Sequence, residues 1–283
     1  MKIIQSLWTS PLKISTPWCD VDYFFTTWIL SCLRLHLYHA NIELETDDCG
    51  FHIMSDLLEL PYMKIGLSLN QIRNFTPSIW TMGKIYTYAK QKEPFIHVDG
   101  DVIIGEPLPF KEEALIAQHF EKDFPHNQEF LSLLIKKKYK FTPYSDLTSP
   151  DYVVKEINAG ILGGTDMSFF ETYTQIGFDF IHQNQKNYKK LKNPGMFNTL
   201  YEQYLFYCLC ESLNHKVSYL LNDIDASFKH LCNFEDIPNS YIQHALSFYK
   251  KEFNIGESVS SSLFYLSEYH HNLIVEDFKN NVI

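Results

Sequence analysis

The segment Phe95-Ile-His-Val-Asp-Gly-Asp-Val-Ile-Ile104 sets two carboxylates, Asp99 and Asp101, between two short apolar runs. Placing two like charges side by side near a protein interior is costly unless a cation joins them. Residues two apart point the same way while a chain stays extended. Gly100 between them is expected to turn tightly, so that both oxygens reach one ion. Mg²⁺ or Mn²⁺ is the ion that such carboxylates take, together with phosphate oxygens. The competing reading is a turn whose aspartates bond the local backbone; the apolar flanks favour the metal. His97 adjoins the pair but is expected on the opposite strand face, outside the metal shell. A second acidic pair, Asp47-Asp48, also closes an apolar run. It reads either as a carboxylate near a nucleotide's base or ribose, or as an ordinary turn pair.

The elements that must position these groups alternate between strand-like and helix-like, which predicts an α/β fold with a central, mainly parallel sheet flanked by helices. Strands are expected over 2–8, 42–46, 95–98, 102–104, 114–119 and 158–164. Helices are expected over 21–40, 51–58, 78–90, 167–183 and 199–213, with Asp166 capping the fourth. In open α/β sheets ligands gather at the carboxyl ends of strands, which is where Asp99 and Asp101 fall. One domain is expected over 1–255, followed by a C-terminal extension, 256–283, with a final helix over 264–278.

Composition narrows the function. Lys and Arg number 24 against 34 Asp and Glu, a formal charge of −10. Without a basic stripe, such a chain is not expected to hold a nucleic-acid backbone. The Lys136–Lys140 and Lys189–Lys192 runs read as solvated surface, the second also as a loop that meets an anionic ligand. The 22 Phe, 18 Tyr and 4 Trp exceed what is usual, and divide between core and a site where rings stack on sugars. Six cysteines without a CxxC pair argue against a zinc ribbon or a disulfide-stapled domain. No apolar stretch reaches membrane-spanning length, and residues 1–8 are too short for a signal-peptide core. The expectation is a cytoplasmic, reduced protein with no transmembrane segment.

The string His97-Val-Asp-Gly-Asp-Val-Ile-Ile104 resembles the Asp-x-Asp motif of GT-A fold nucleotide-sugar glycosyltransferases. The pattern is most similar to the glycogenin-like and bacterial lipopolysaccharide-galactosyltransferase-like retaining enzymes. Four further segments fit in order over roughly residues 1–250. Lys84, in Trp80-Thr-Met-Gly-Lys-Ile-Tyr, stands where that family's helix carries a basic residue toward the nucleotide. Asn158-Ala159-Gly160 resembles the Asn-x-Gly segment that lines the donor sugar. Glu202-Gln203 resembles an Asp-Gln pair near the reacting centre, with Glu for Asp. His244-Ala-Leu-Ser-Phe-Tyr-Lys250 resembles His-x-x-Gly-x-x-Lys, in which His is the third metal ligand and Lys binds the diphosphate. Ser247 replaces that Gly, and the Pro-Trp that often follows is absent.

The resemblance implies a hexosyltransferase-like enzyme that takes a sugar from a nucleotide diphosphate, a UDP-sugar for preference, with retention of configuration. The acceptor, whether carbohydrate, lipid-linked, small molecule or protein, is left open, as is the oligomeric state. Each assignment has a plainer alternative. Lys84 also reads as a surface lysine snorkelling past Tyr86 and Tyr88, Glu202 as a solvated helix residue, and His230 as a rival third ligand. A haloacid-dehalogenase-like phosphatase also places Asp-x-Asp at a strand end, but on its first strand and with Thr or Val where Ile103 stands. A sugar-nucleotide pyrophosphorylase would need a Gly-rich, Arg-bearing loop that residues 5–10 lack. A non-catalytic sugar- or nucleotide-binding protein is the third alternative.

Overall fold

In the computed structural model, residues 1–13, 18–109, 112–122, 153–185, 194–222, 224, 229, 231–232, 241–244 and 250 are described below. The expected helix over 264–278, the two lysine runs, His230 and Ser247 lie outside them. Four strands form the first half of the sheet: β1 (Lys2–Leu7), β2 (Ile42–Thr46), β3 (Lys64–Gly66) and β4 (Phe95–Val98). A short β5 (Val102–Ile104), then β6 (Ile116–Lys122), β7 (Lys155–Gly164), β8 (Ser218–Tyr219) and β9 (Ile242–His244) complete the set. Seven strands share one sheet in the order β3-β2-β1-β4-β7-β6-β8, while β5 and β9 pair separately. The β1–β2, β1–β4, β2–β3 and β6–β8 pairings are parallel, and β7 runs antiparallel to β4 and β6. The expected α/β fold with a mainly parallel sheet is therefore the one observed.

β4 sits at the middle of the sheet, and all four of its residues are buried. Such a central strand reads as a continuous apolar run, here interrupted only by His97. α1 (Val21–Tyr38) opens on Asp20, whose carboxylate accepts from Asp22 N. This helix anchors β5: Ser31 Oγ donates to Val102 O at 2.6 Å, Arg34 Nε to Ile104 O at 2.7 Å, and Arg34 Nη2 to Gly105 O at 2.9 Å. Short strands with few ladder bonds need such side-chain support, since unpaired buried carbonyls are costly.

α2 (Asp48–Phe51), α3 (Met82–Lys90), α4 (Met167–Gln183), α5 (Pro194–Thr199) and α6 (Leu205–Leu213) are the remaining helices. Asp166 caps α4 by accepting from Phe169 N at 2.9 Å. Two of the expected helices contain π-helical turns. The helix expected over 51–58 starts at Asp48 and continues as a π-helical turn, His52–Leu57. The helix expected over 199–213 is three pieces, with a π-helical turn at Leu200–Tyr204 between α5 and α6. Periodicity at 3.6 residues cannot register an inserted residue of this kind. Much of the aromatic content is core: Tyr88, Phe95, Phe169, Phe170, Tyr173 and Phe206 pack ring against ring between the sheet and α3, α4 and α6. Among the described residues no helix is long and apolar enough to cross a membrane.

Gly100 is needed for a different reason from the one its spacing suggests. It is not among the positive-φ glycines of the described residues, where Gly164 alone appears. Instead a Cβ at position 100 would overlap the indole of Trp28, which α1 presses against the turn. Replacing Gly100 by Ala should therefore destabilise the fold by about 1–3 kcal/mol through overpacking. Urea unfolding measures this, and Trp28→Leu in the same chain should recover part of the loss. An Ala variant as stable as the parent would show that the ring yields freely.

Candidate metal centre

Asp99 leaves the end of β4 with its N–H on Gly160 O at 2.8 Å, so the β4–β7 ladder continues to the motif. Val102 N returns to Asp99 O at 3.1 Å and closes the turn that carries Gly100 and Asp101. β5 then pairs antiparallel with β9, which sets His244 opposite Val102. His244 N donates to Leu231 O at 2.8 Å. One ligand atom each from Asp99, Asp101 and His244 lies within 4.8 Å of the others. His244 Nε2 stands 3.5 Å from Asp101 Oδ1. Close approach here depends on Gly160, because a Cβ there would overlap both His244 and Gln118.

Two lysines flank the group. Lys250 Nζ pairs with Asp101 Oδ2, from 149 residues away. Lys84, from α3, donates to Asp99 Oδ2 at 3.0 Å and to Ala159 O at 2.9 Å, and pairs with Glu202 Oε1. Lys84 is therefore a buried bridge between two carboxylates and not a surface lysine. Glu202 sits on the π-helical turn, 2% exposed, with its carbonyl accepting from Tyr173 OH at 3.0 Å. That overturns the solvated-helix reading of Glu202. Gln203 beside it is half-buried.

The charges act on one another strongly. Burial, helped by Asp101 and Glu202, pushes Asp99 up to about 6 against the pull of Lys84. Burial also works against ionised Asp101, but Lys250 and His244 outweigh it and hold that carboxyl well below the usual range. Burial raises Glu202 against the opposing pull of Lys84. Burial would lower Lys84, yet Asp99 and Glu202 overrule it and keep the ammonium charged.

Other positions fall as follows. Asp47 accepts from Thr9 N and Thr9 Oγ1 and from Gly50 N, so it caps α2 and ties it to the end of β1. Asn158 is buried, its Nδ2 on Glu121 Oε1 at 3.1 Å and its Oδ1 accepting from Gly160 N at 3.0 Å. Ala159 contributes its carbonyl to Lys84. His97 is a correction. It does not face away from the acidic pair: Nδ1 lies 3.6 Å from Asp99 Oδ1. Residues two apart on a strand share a face, so positions 97 and 99 had to point together, and strand parity alone was enough to show it. Trp28 and Ser6 were also unmarked, and nothing in their local sequence signals a place beside the site.

The donor chemistry of the site can be matched to an ion. Two carboxylates and an imidazole form a mixed oxygen–nitrogen set suited to Mn²⁺, or to Mg²⁺ with more water retained. Asp101 Oδ1 and His244 Nδ1 are buried without a hydrogen-bond partner. Asp101 Oδ1, unsatisfied and facing the His244 imidazole, is the kind of atom that a cation would satisfy. The residues fit the ion.

The family described as "Family of unknown function (DUF6734)" matches residues 1–276. The chain belongs to this family. Among solved structures, this DUF6734 chain is similar to the glycosyltransferase GlyE of Streptococcus pneumoniae TIGR4, at 15% identity and a TM-score of 0.45 over 96% of the chain. It spans 64% of the GlyE chain's length. Mouse xyloside xylosyltransferase 1 in its apo form is similar at 10% identity and a TM-score of 0.41, covering 86% of this chain and 96% of the other. A glycosyltransferase involved in glycosylation of the major capsid of PBCV-1 is similar at 12% identity and a TM-score of 0.39, covering 92% and 97%. No curated protein matches the sequence. With scores and identities this low, function has to be read from the chain's own side chains.

The two aspartates should affect metal-free stability with opposite signs. Asp99, raised to about 6, disfavours the fold while ionised, so its penalty is present above pH 6 and fades as pH falls toward 4. Asp101, depressed, contributes stability above its unfolded value, lost only as pH falls through the folded one. In chelator at pH 8, Asp99→Asn should raise the unfolding midpoint and Asp101→Asn lower it, each by on the order of 1 kcal/mol after screening. The Asp99→Asn gain should shrink by pH 5. Shifts of the same sign at pH 8 would contradict this account of the charges.

Proposed function

We propose that this chain is a metal-dependent glycosyltransferase that moves a sugar from a nucleotide diphosphate, UDP for preference, to an acceptor hydroxyl. One observation carries the reading. Asp99, Asp101 and His244 converge within 4.8 Å beside two lysines. Three ligands for a divalent cation, with ammonium groups next to them, match the chemistry of a diphosphate.

Asp99, Asp101 and His244 would hold Mn²⁺ or Mg²⁺. When bound, the cation supplies Lewis-acid neutralisation of the charge that grows on the leaving diphosphate. Lys250 turns from Asp101 to a diphosphate oxygen, adding a second positive charge where negative charge develops. Lys84 opposes the burial that raises Asp99 and Glu202 and holds both carboxylates in place. Asn158 and the backbone at Gly160 line the donor sugar, while Glu202 and Gln203 lie toward the reacting carbon. The bond from the anomeric carbon to the diphosphate oxygen breaks with its electron pair going to the diphosphate. The acceptor oxygen forms the new bond, and its proton passes to the departing phosphate. Retention of configuration is part of the proposal. So is a reducing compartment, in keeping with a sequence whose six cysteines include no CxxC pair.

Thermal shift and free-nucleotide release, run on a panel of UDP- and GDP-sugars with and without Mn²⁺, test the reading. At about 100 times its dissociation constant, a true donor should stabilise the fold by roughly 2.7 kcal/mol. That stabilisation should require the cation and vanish in Asp99→Ala/Asp101→Ala. His244→Ala should weaken metal-dependent binding by about 10-fold or more, as expected for loss of one ligand. Indifference to every nucleotide sugar, or stabilisation unaffected by chelator, would refute it.

A further inference from the structure

Behind Asp99 the imidazole of His97 has a defined neighbour on each nitrogen. Nε2 meets Ser6 Oγ at 2.8 Å, and Nδ1 faces Asp99 Oδ1 at 3.6 Å. The ring is 1% exposed, the edge of Tyr88 packs on it at 5.1 Å, and Nδ1 has no hydrogen-bond partner. At 1% exposure a charged imidazole is disfavoured by desolvation. A neutral ring has a single N–H, and the carboxylate decides which nitrogen bears it. A lone pair on Nδ1 would be repelled by Asp99 Oδ1. The proton therefore belongs on Nδ1, and Nε2 accepts from the Ser6 hydroxyl.

We propose that Ser6 and His97 are positioning residues for the metal-ligating carboxylate of Asp99: the serine hydroxyl donates to Nε2 and holds the ring in place, and the Nδ1–H fixes the carboxylate plane. This rests on the reading of Asp99 as a metal ligand. At 3.6 Å the contact is longer than a hydrogen bond. The terminal torsion of an aspartate is soft, and a modest rotation brings Oδ1 within reach. Oδ2 is already held by Lys84 Nζ at 3.0 Å. Asp99 is thus steadied from both sides, by a cation on one oxygen and an aimed N–H on the other. Neither residue touches the cation, so their effect is on how well the ligand is preset for it. Such outer partners commonly change metal affinity by about 10–100-fold.

The test is Mn²⁺ binding to the metal-free full chain without nucleotide, read as free Mn²⁺ by electron paramagnetic resonance. An asparagine amide places its NH₂ near the Nδ1 position of histidine, and a glutamine amide near Nε2. His97→Asn should keep affinity within about threefold, whereas His97→Gln should lose about 10–100-fold. In the metal-free wild type, ring ¹⁵N shifts should report the Nδ1–H tautomer. Equal weakening by Asn and Gln, or an Nε2–H tautomer, overturns the positioning role alone. A wild-type chain that takes up no Mn²⁺ overturns the metal centre itself, and this proposal with it. Should both His97 variants fail to fold, Ser6→Ala decides: affinity should drop by about threefold or more, the loss of one hydrogen bond, and unchanged affinity overturns the proposal.

Discussion

Three carboxylates, Asp99, Asp101 and Glu202, crowd one corner of this molecule, and the structure depends on how they are kept apart. Like charges in poorly solvated surroundings repel strongly. Lys84 answers two of them at once, and Lys250 answers the third. Every partner comes from a different element: Asp99 from the end of β4, Asp101 from the next turn, Glu202 from the π-helical turn, Lys84 from α3. The corner therefore exists only when the whole sheet and its helices are assembled. Removing either lysine would leave its carboxylates uncompensated in poorly solvated surroundings, which costs more than the pairing itself contributes.

The backbone is equally constrained. Trp28 lies where any side chain at position 100 would have to go, and His244 and Gln118 do the same at 160. α1 holds β5 by side-chain bonds to its carbonyls, and β5 in turn holds β9. In this way a three-residue strand, with almost no stability of its own, delivers an imidazole to a site 140-odd positions earlier in the chain. Placing functional groups on a turn gripped from three sides meets the need for preset geometry in electrostatic catalysis.

Much of this was legible in the sequence. The strand–turn–strand around Asp99 and Asp101 shows as two apolar runs broken by acids, and both runs have the observed bounds. The cap at Asp166 and the full length of α4 also follow from local pattern. His244 was reachable only through resemblance and its spacing from Lys250, since β9 is too short to leave a periodic trace. The bridge from Lys84 to Glu202 was not readable, because each residue type ordinarily faces solvent and only burial reveals the pairing. His97 was misread although the information was present: period two puts 97 and 99 on one face. Gly100 was marked for turn flexibility, whereas the reason for it is an indole that packs from a distant helix. Long-range contacts of that kind have no local signature.

The most direct measurement of the central claim is an anomalous difference map at the manganese edge, from crystals of the full chain soaked with Mn²⁺ and UDP. The account predicts a peak in bonding contact with Asp99, Asp101 and His244, and with diphosphate oxygens on its open side. A map with no peak there, or with manganese only at other acidic residues while UDP is bound, would contradict it.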